Sequence, residues 1–88
     1  MNTHPHGTTV FLAIRPAVER HARFAFRHLR DFHRFEDCVQ ETLALCWLWS
    51  CRLWAQGKDA RQFPTTLAMF ATRHVKSGRT FAGTARLS

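Results

Sequence analysis

The chain has no tyrosine, and only six of its 88 residues are Asp or Glu. Against those six acids stand 13 Lys and Arg, giving a formal net charge of +7 and a pI near 11.1. A basic surplus of this size points to a polyanionic partner. Nucleic acid fits better than a membrane surface, because no strongly apolar surface helix accompanies the basic residues. Glycine and proline are scarce as well, at four and three, and no alternating strand pattern competes with helical spacing. Long apolar runs are missing. The best of them, Leu43–Trp49, is about a third of what a bilayer core requires, so no membrane partner is expected. No basic region precedes Val10–Ile14 and no cleavage site follows it, so no secretion signal is expected. Cysteine is limited to Cys38, Cys46 and Cys51. All three fall on one expected helix at separations that forbid a bridge, which predicts buried thiols in a reducing, cytoplasmic setting.

Chemical motifs are equally sparse. There is no phosphate-cradling glycine loop, no zinc-type ligand spacing, and no nucleophile–base pair with a supporting third residue. His33 beside Cys38 is the nearest approach to a dyad, and a loop histidine next to a helix cysteine reads as incidental. His4 and His6 suit at most weak metal binding. His21 and His28 lie about 10 Å apart on a helix, too far to share a metal unaided. The sequence therefore predicts a non-enzymatic protein without metal or cofactor.

What is present is 45% hydrophobic residues in a chain sized for one domain with a thin core. The stretch Phe35–Trp54, FEDCVQETLALCWLWSCRLW, holds every Trp and every Cys and contains neither Gly nor Pro. At helical period Val39, Leu43, Cys46, Trp47, Ser50, Leu53 and Trp54 share one face, with Cys38, Leu45 and Trp49 on a flank. A helix apolar over so much of its circumference is covered on more than one side, which makes it the centre of a bundle. Its opposite face carries Asp37, Gln40, Glu41, Ala44, Leu48 and Arg52. Carboxylates in a first turn complement the helix dipole. That explanation serves Glu36 and Asp37 but not Glu41, and Leu48 lies two turns beyond on the same line. The stripe reads either as a solvated face or as a protein-docking surface.

Around this helix the chain predicts an all-α fold, a small three-helix bundle, or four helices if Pro16 splits the first. Residues 1–9 are read as a loose tail, 10–77 as the helical domain and 78–88 as a basic tail. The first helix starts after Thr8 or Thr9 and buries Phe11, Ile14, Val18, Ala22, Ala25 and Leu29, with Phe24 and Phe26 filling gaps between neighbours. Arg23, Arg27, Arg30 and Arg34 step by 4, 3 and 4 along one edge. They form either a phosphate- or acid-facing ridge or a solvated face. Asp31–Arg34 forms the first connection, Gly57 stops the central helix, and Lys58–Gln62 forms the second. The third helix begins near Phe63-Pro64. It turns Leu67, Phe70, Ala71, His74 and Val75 inward and Thr66, Met69, Arg73 and Lys76 outward, and Ser77-Gly78 ends it.

Phe35-Glu36-Asp37-Cys38-Val39-Gln40-Glu41-Thr42 resembles the E-D-x-V-Q-E-T core of bacterial RNA polymerase sigma factors of the sigma-70 family. The match is to their region-two domain and above all to the extracytoplasmic-function group. The Trp-containing stretch Leu45–Trp49 and the Arg-rich preceding helix fit as well. The segment Phe63-Pro64…Leu67…Ala71-Thr72-Arg73-His74 is similar to the family's F…WL…I-A-R-N helix. The resemblance spans about residues 10–80 and implies a region-2-like fold. It implies docking on the clamp helices of the polymerase β′ subunit through Asp37, Gln40 and Glu41, with Ala44 and Leu48 beside them. It also implies contact with the single-stranded −10 promoter region through Arg73, His74, Lys76, Arg79 and Phe81, and an anti-sigma protein as a further partner. The chain departs from the family at Thr66-Leu67, where Trp-Leu is usual, and at the Asn of I-A-R-N. The helix-turn-helix domain that reads the −35 element is expected to be absent. The alternative is a basic helical adaptor, derived from a sigma factor, that binds nucleic acid or an acidic protein without promoter recognition.

Overall fold

A computed structural model describes residues 6–78. Among them the chain forms three α-helices, α1 (His6–Ala25), α2 (Phe32–Ala55) and α3 (Pro64–Lys76), with one 3-10 turn, Ala60–Gln62, before α3 and no strand. The three helices pack pairwise around a single core. Val10, Ile14 and Val18 of α1 lie in it with Val39, Leu43 and Cys46 of α2 and Leu67, Ala71 and Val75 of α3. Packing against both α1 and α3 accounts for the broad apolar circumference of α2.

Helix α1 begins at His6, inside the stretch expected to be a loose tail and ahead of the Thr8/Thr9 cap. Tertiary contacts set this start. The Trp47 indole Nε1 donates to Thr8 Oγ1 at 2.9 Å, and the His6 ring stacks on Trp54 at 5.2 Å, within 4° of parallel. Gly7 is buried against α2, and a side chain there would strike the Cys51 backbone. Pro16 does not divide the helix, so the bundle has three helices rather than four. Pro16 is exposed; its ring faces solvent, and the missing N–H is the price of the interruption.

Helix α2 starts three residues before the Phe35 motif, at Phe32. Asp31 caps it, accepting from the backbone N–H groups of His33 at 2.9 Å and Arg34 at 3.3 Å. At the other end Gly57 adopts φ +82. Its N–H donates to the Trp54 carbonyl at 2.9 Å while the Lys58 N–H donates to Leu53 at 2.8 Å, the paired bonds of a Schellman stop. Asp59 opens the 3-10 turn by accepting from the Arg61 N–H and holding the Arg61 guanidinium at 2.7 Å.

Several side chains depart from the expected faces. Trp47 and Trp54, placed inward by spacing, stay 48% and 37% exposed, Trp47 on an open groove beside α1 and Trp54 against the His6 ring. Phe24 is 64% exposed while Phe26 is buried, so only one of the pair fills an interhelical gap. On α3, Phe70 is 50% exposed, and Ala68 and Thr72 take the buried positions beside Leu67, Ala71 and Val75. Small residues at 68 and 72 let α3 approach its neighbours closely, and that rotates Phe70 out. Cys46 is buried, but Cys38 and Cys51 are only half-buried; all three are free thiols.

Candidate functional site

The polar stripe of α2 is built by helical geometry alone. Asp37, Glu41, Ala44 and Leu48 follow one another at steps of three or four, with Gln40 beside Glu41, so they form a continuous line about 16 Å long at 1.5 Å per residue. Asp37 and Gln40 are exposed, and Glu41, Ala44 and Leu48 are half-buried. No hydrogen bond or ion pair among the described residues engages the side chains of Asp37, Gln40 or Glu41. Glu36 differs. Its carboxylate accepts from Arg23 Nη1 at 2.8 Å, and the same guanidinium reaches Glu19 at 3.0 Å. These two carboxylates hold the Arg23 pKa above its ordinary value, Glu36 contributing most.

The start of α2 at Phe32 changes the account of these acids. None of them lies in the first turn of the helix. The free N–H groups are served by Asp31 and the dipole acts mainly within that turn, so it does not explain Asp37 or Glu41. The two stand at i,i+4, where like charges oppose the helix by about 0.2–0.5 kcal/mol. In a chain with more than twice as many cations as acids, the pair stays uncompensated. Beside it, between α1 and α2, runs a groove of about 260 Å³ lined by Phe11, Leu12, Arg15, Gln40, Ala44 and Trp47. Leu12 on its rim is 59% exposed. Of the line, Gln40 and Ala44 border this largely apolar trough, and Asp37 and Glu41 stand outside it.

The cations assigned to DNA divide. Arg73 and Lys76 project from α3. The Arg73 guanidinium lies 6.0 Å from the Phe70 ring and Lys76 Nζ lies 5.8 Å from the Phe26 ring. His74 instead meets the Trp49 indole edge-on at 5.8 Å and 80°, in the contact between α3 and α2, so it packs rather than projects. Arg79 and Phe81 lie outside the described residues. The four-arginine edge does not persist as one helical row, because α1 ends at Ala25 and Arg27 and Arg30 fall in the connection. Arg27 folds back, its guanidinium 3.8 Å from the Phe24 ring and donating to the Phe24 carbonyl at 2.7 Å.

Burial pushes the Cys46 thiol up to about 12. Cys38 is also raised, chiefly by burial, with Arg34 opposing and Glu41 and Asp37 assisting. Neither is a ready thiolate nucleophile. Among the described residues no group of three or more His, Cys, Asp or Glu side chains is placed to hold a metal ion. No helix among them is long and apolar enough to cross a membrane. Compared with family models, curated proteins and solved structures, the chain finds no match.

Proposed function

We propose that the chain is a sigma-like, non-enzymatic transcription module of the cytoplasm that docks on bacterial core RNA polymerase through α2 and contacts single-stranded −10 promoter DNA through α3. The observation that carries this reading is the open line Asp37-Gln40-Glu41-Ala44-Leu48, whose polar members have no intramolecular partner. It coincides with the segment that resembles the sigma-factor core, whose matching face in that family docks on the β′ clamp helices. The test is co-purification of tagged protein with core polymerase. Wild type is expected to retain polymerase, and the Asp37→Ala/Gln40→Ala/Glu41→Ala variant to lose it by tenfold or more. Equal recovery removes the docking role. An anti-sigma protein would compete for the same line.

A second reading is favoured by His74. Its packing against Trp49 takes one of the expected base contacts out of reach. A basic helical adaptor that binds nucleic acid without reading a promoter accommodates that. Under this reading binding is sequence-blind and falls steeply with salt, whereas the sigma reading requires preference for a −10-like single strand.

A further inference from the structure

Both large exposed phenylalanines near the junction of α1 and α2 sit among cations. Phe24 is 64% exposed and Phe32 is 67% exposed. A single exposed apolar side chain needs no explanation, but Phe32 lines a concavity of about 310 Å³ with Arg23, Arg27, Leu29, Arg30 and Phe35, and Phe24 adjoins it through Arg27, which lies over its ring. The volume of this concavity is at the lower end of the size range of pockets that enclose small organic groups, about 300 Å³. Ring-and-guanidinium pairs form its wall and its edge. Arg27 lies over Phe24 at 3.8 Å and Arg23 over Phe35 at 5.6 Å.

The charges of this end are unevenly satisfied. Arg23 is neutralised by Glu19 and Glu36. Asp31 accepts from the first N–H groups of α2. Arg27 and Arg30 have no carboxylate partner among the described residues. Leu29 also lines a second concavity, across the connection, with His28, Arg34 and Lys76. The two recesses therefore adjoin, and cations line the way from Arg30 to Lys76.

We propose that this end of the bundle binds single-stranded polynucleotide, with Phe24 and Phe32 stacking unpaired bases and Arg27 and Arg30 holding phosphates. Aromatic faces beside a cationic track are the chemistry of sequence-tolerant single-strand binding. A duplex keeps its bases stacked inside and offers the phenylalanines nothing, and a phosphorylated peptide leaves both rings unused. The site goes beyond the function proposed above, since none of these residues belongs to the α2 line or to the α3 cations.

The test is fluorescence anisotropy of the full chain with oligothymidine, oligouridine, a mixed-sequence duplex and phosphatidylserine vesicles, over a range of salt. Tighter binding of either single strand than of the duplex is expected; the stronger of the two identifies DNA or RNA as its source. Phe24→Ala/Phe32→Ala is expected to weaken single-strand binding about tenfold or more with the salt slope kept. Arg27→Gln/Arg30→Gln is expected to reduce the slope by about 1.4, at about 0.7 per phosphate on single strands. All four positions are exposed or outside the core, and helicity by circular dichroism confirms folding of each variant. Asp37→Ala/Gln40→Ala/Glu41→Ala is expected to bind the strand undiminished, which separates this site from the docking line. Unchanged affinity in the phenylalanine variant overturns the proposal. So does duplex binding as tight as single-strand binding, or vesicle binding without oligonucleotide binding. Loss of single-strand binding in Arg73→Gln, equal to that of the phenylalanine variant, would move the site to α3 and overturn it too.

Discussion

A methyl group at position 7 would have nowhere to go. A Cβ on Gly7 falls onto the Cys51 backbone and within 2.9 Å of its Sγ. The obstacle is main chain rather than the end of a flexible side chain, so α1 must shift on α2. Gly7→Ala is expected to lower stability by about 1–3 kcal/mol despite alanine's better helix propensity, and urea unfolding checks it. The same replacement would also loosen the Trp47–Thr8 hydrogen bond, so a red shift of tryptophan emission is expected with it. Cys46 supports a different expectation. An ordinary thiol titrates near 9.0, and burial moves this one to about 12. Below pH 9 the thiol is protonated in both states and its contribution to stability is complete. Between pH 9 and 12 the unfolded chain releases the proton that the folded chain keeps, so stability falls as pH rises. Cys46→Ala is expected to start from a lower stability, having lost buried volume, but to decline less steeply across that window in urea titrations.

At the scale of the helix, α2 carries two jobs that compete. Its inward side supplies Val39, Leu43, Cys46 and Ser50 to the core, while its outward line keeps Asp37 and Glu41 one turn apart without a cation. A helix optimised only for stability would place a basic residue between them. The Asp37→Ala/Gln40→Ala/Glu41→Ala variant is therefore expected to fold at least as stably as wild type, with an unchanged or higher melting temperature, while losing polymerase in the co-purification assay. A variant that unfolds would assign these residues to the fold instead. The central span of α2 was legible in the sequence, because a stripe at period 3.6 marks a helix without reference to anything around it. Its start was not. Asp31 was read as a turn residue, and its capping role depends on backbone geometry that spacing does not report. Helix α3 shows the same division. Pro64 announced its start, but which of Phe70 and Thr72 lay inside depended on how closely α3 could approach the rest of the bundle.

Across the described residues, part of the charge is sorted by position. The unpaired carboxylates occupy one line on α2, and the cations of the α1–α2 junction, with Lys76 beside them, gather at one end of the bundle. The basic surplus was plain in the composition. Its concentration was not, because Lys76 is more than forty residues from Arg34 and joins it only when the end of α3 packs beside Phe26 at the end of α1. The Arg23-Arg27-Arg30-Arg34 spacing pointed to a single helical edge, and the end of α1 at Ala25 broke it. Glu19, Arg23 and Glu36 form an ion-pair cluster across two helices, of which spacing could show only the Glu19–Arg23 half. By itself the sequence determined the all-helical class, the long second helix and its polar stripe, the left-handed stop at Gly57 and the sign of the net charge. Each of these is a local or additive property of neighbouring residues. Tertiary structure alone decided where α1 begins, which aromatic rings stay in solvent, which acids are neutralised and which remain open. Those outcomes depend on which surfaces meet, and residues far apart in the chain are brought to that meeting only by packing.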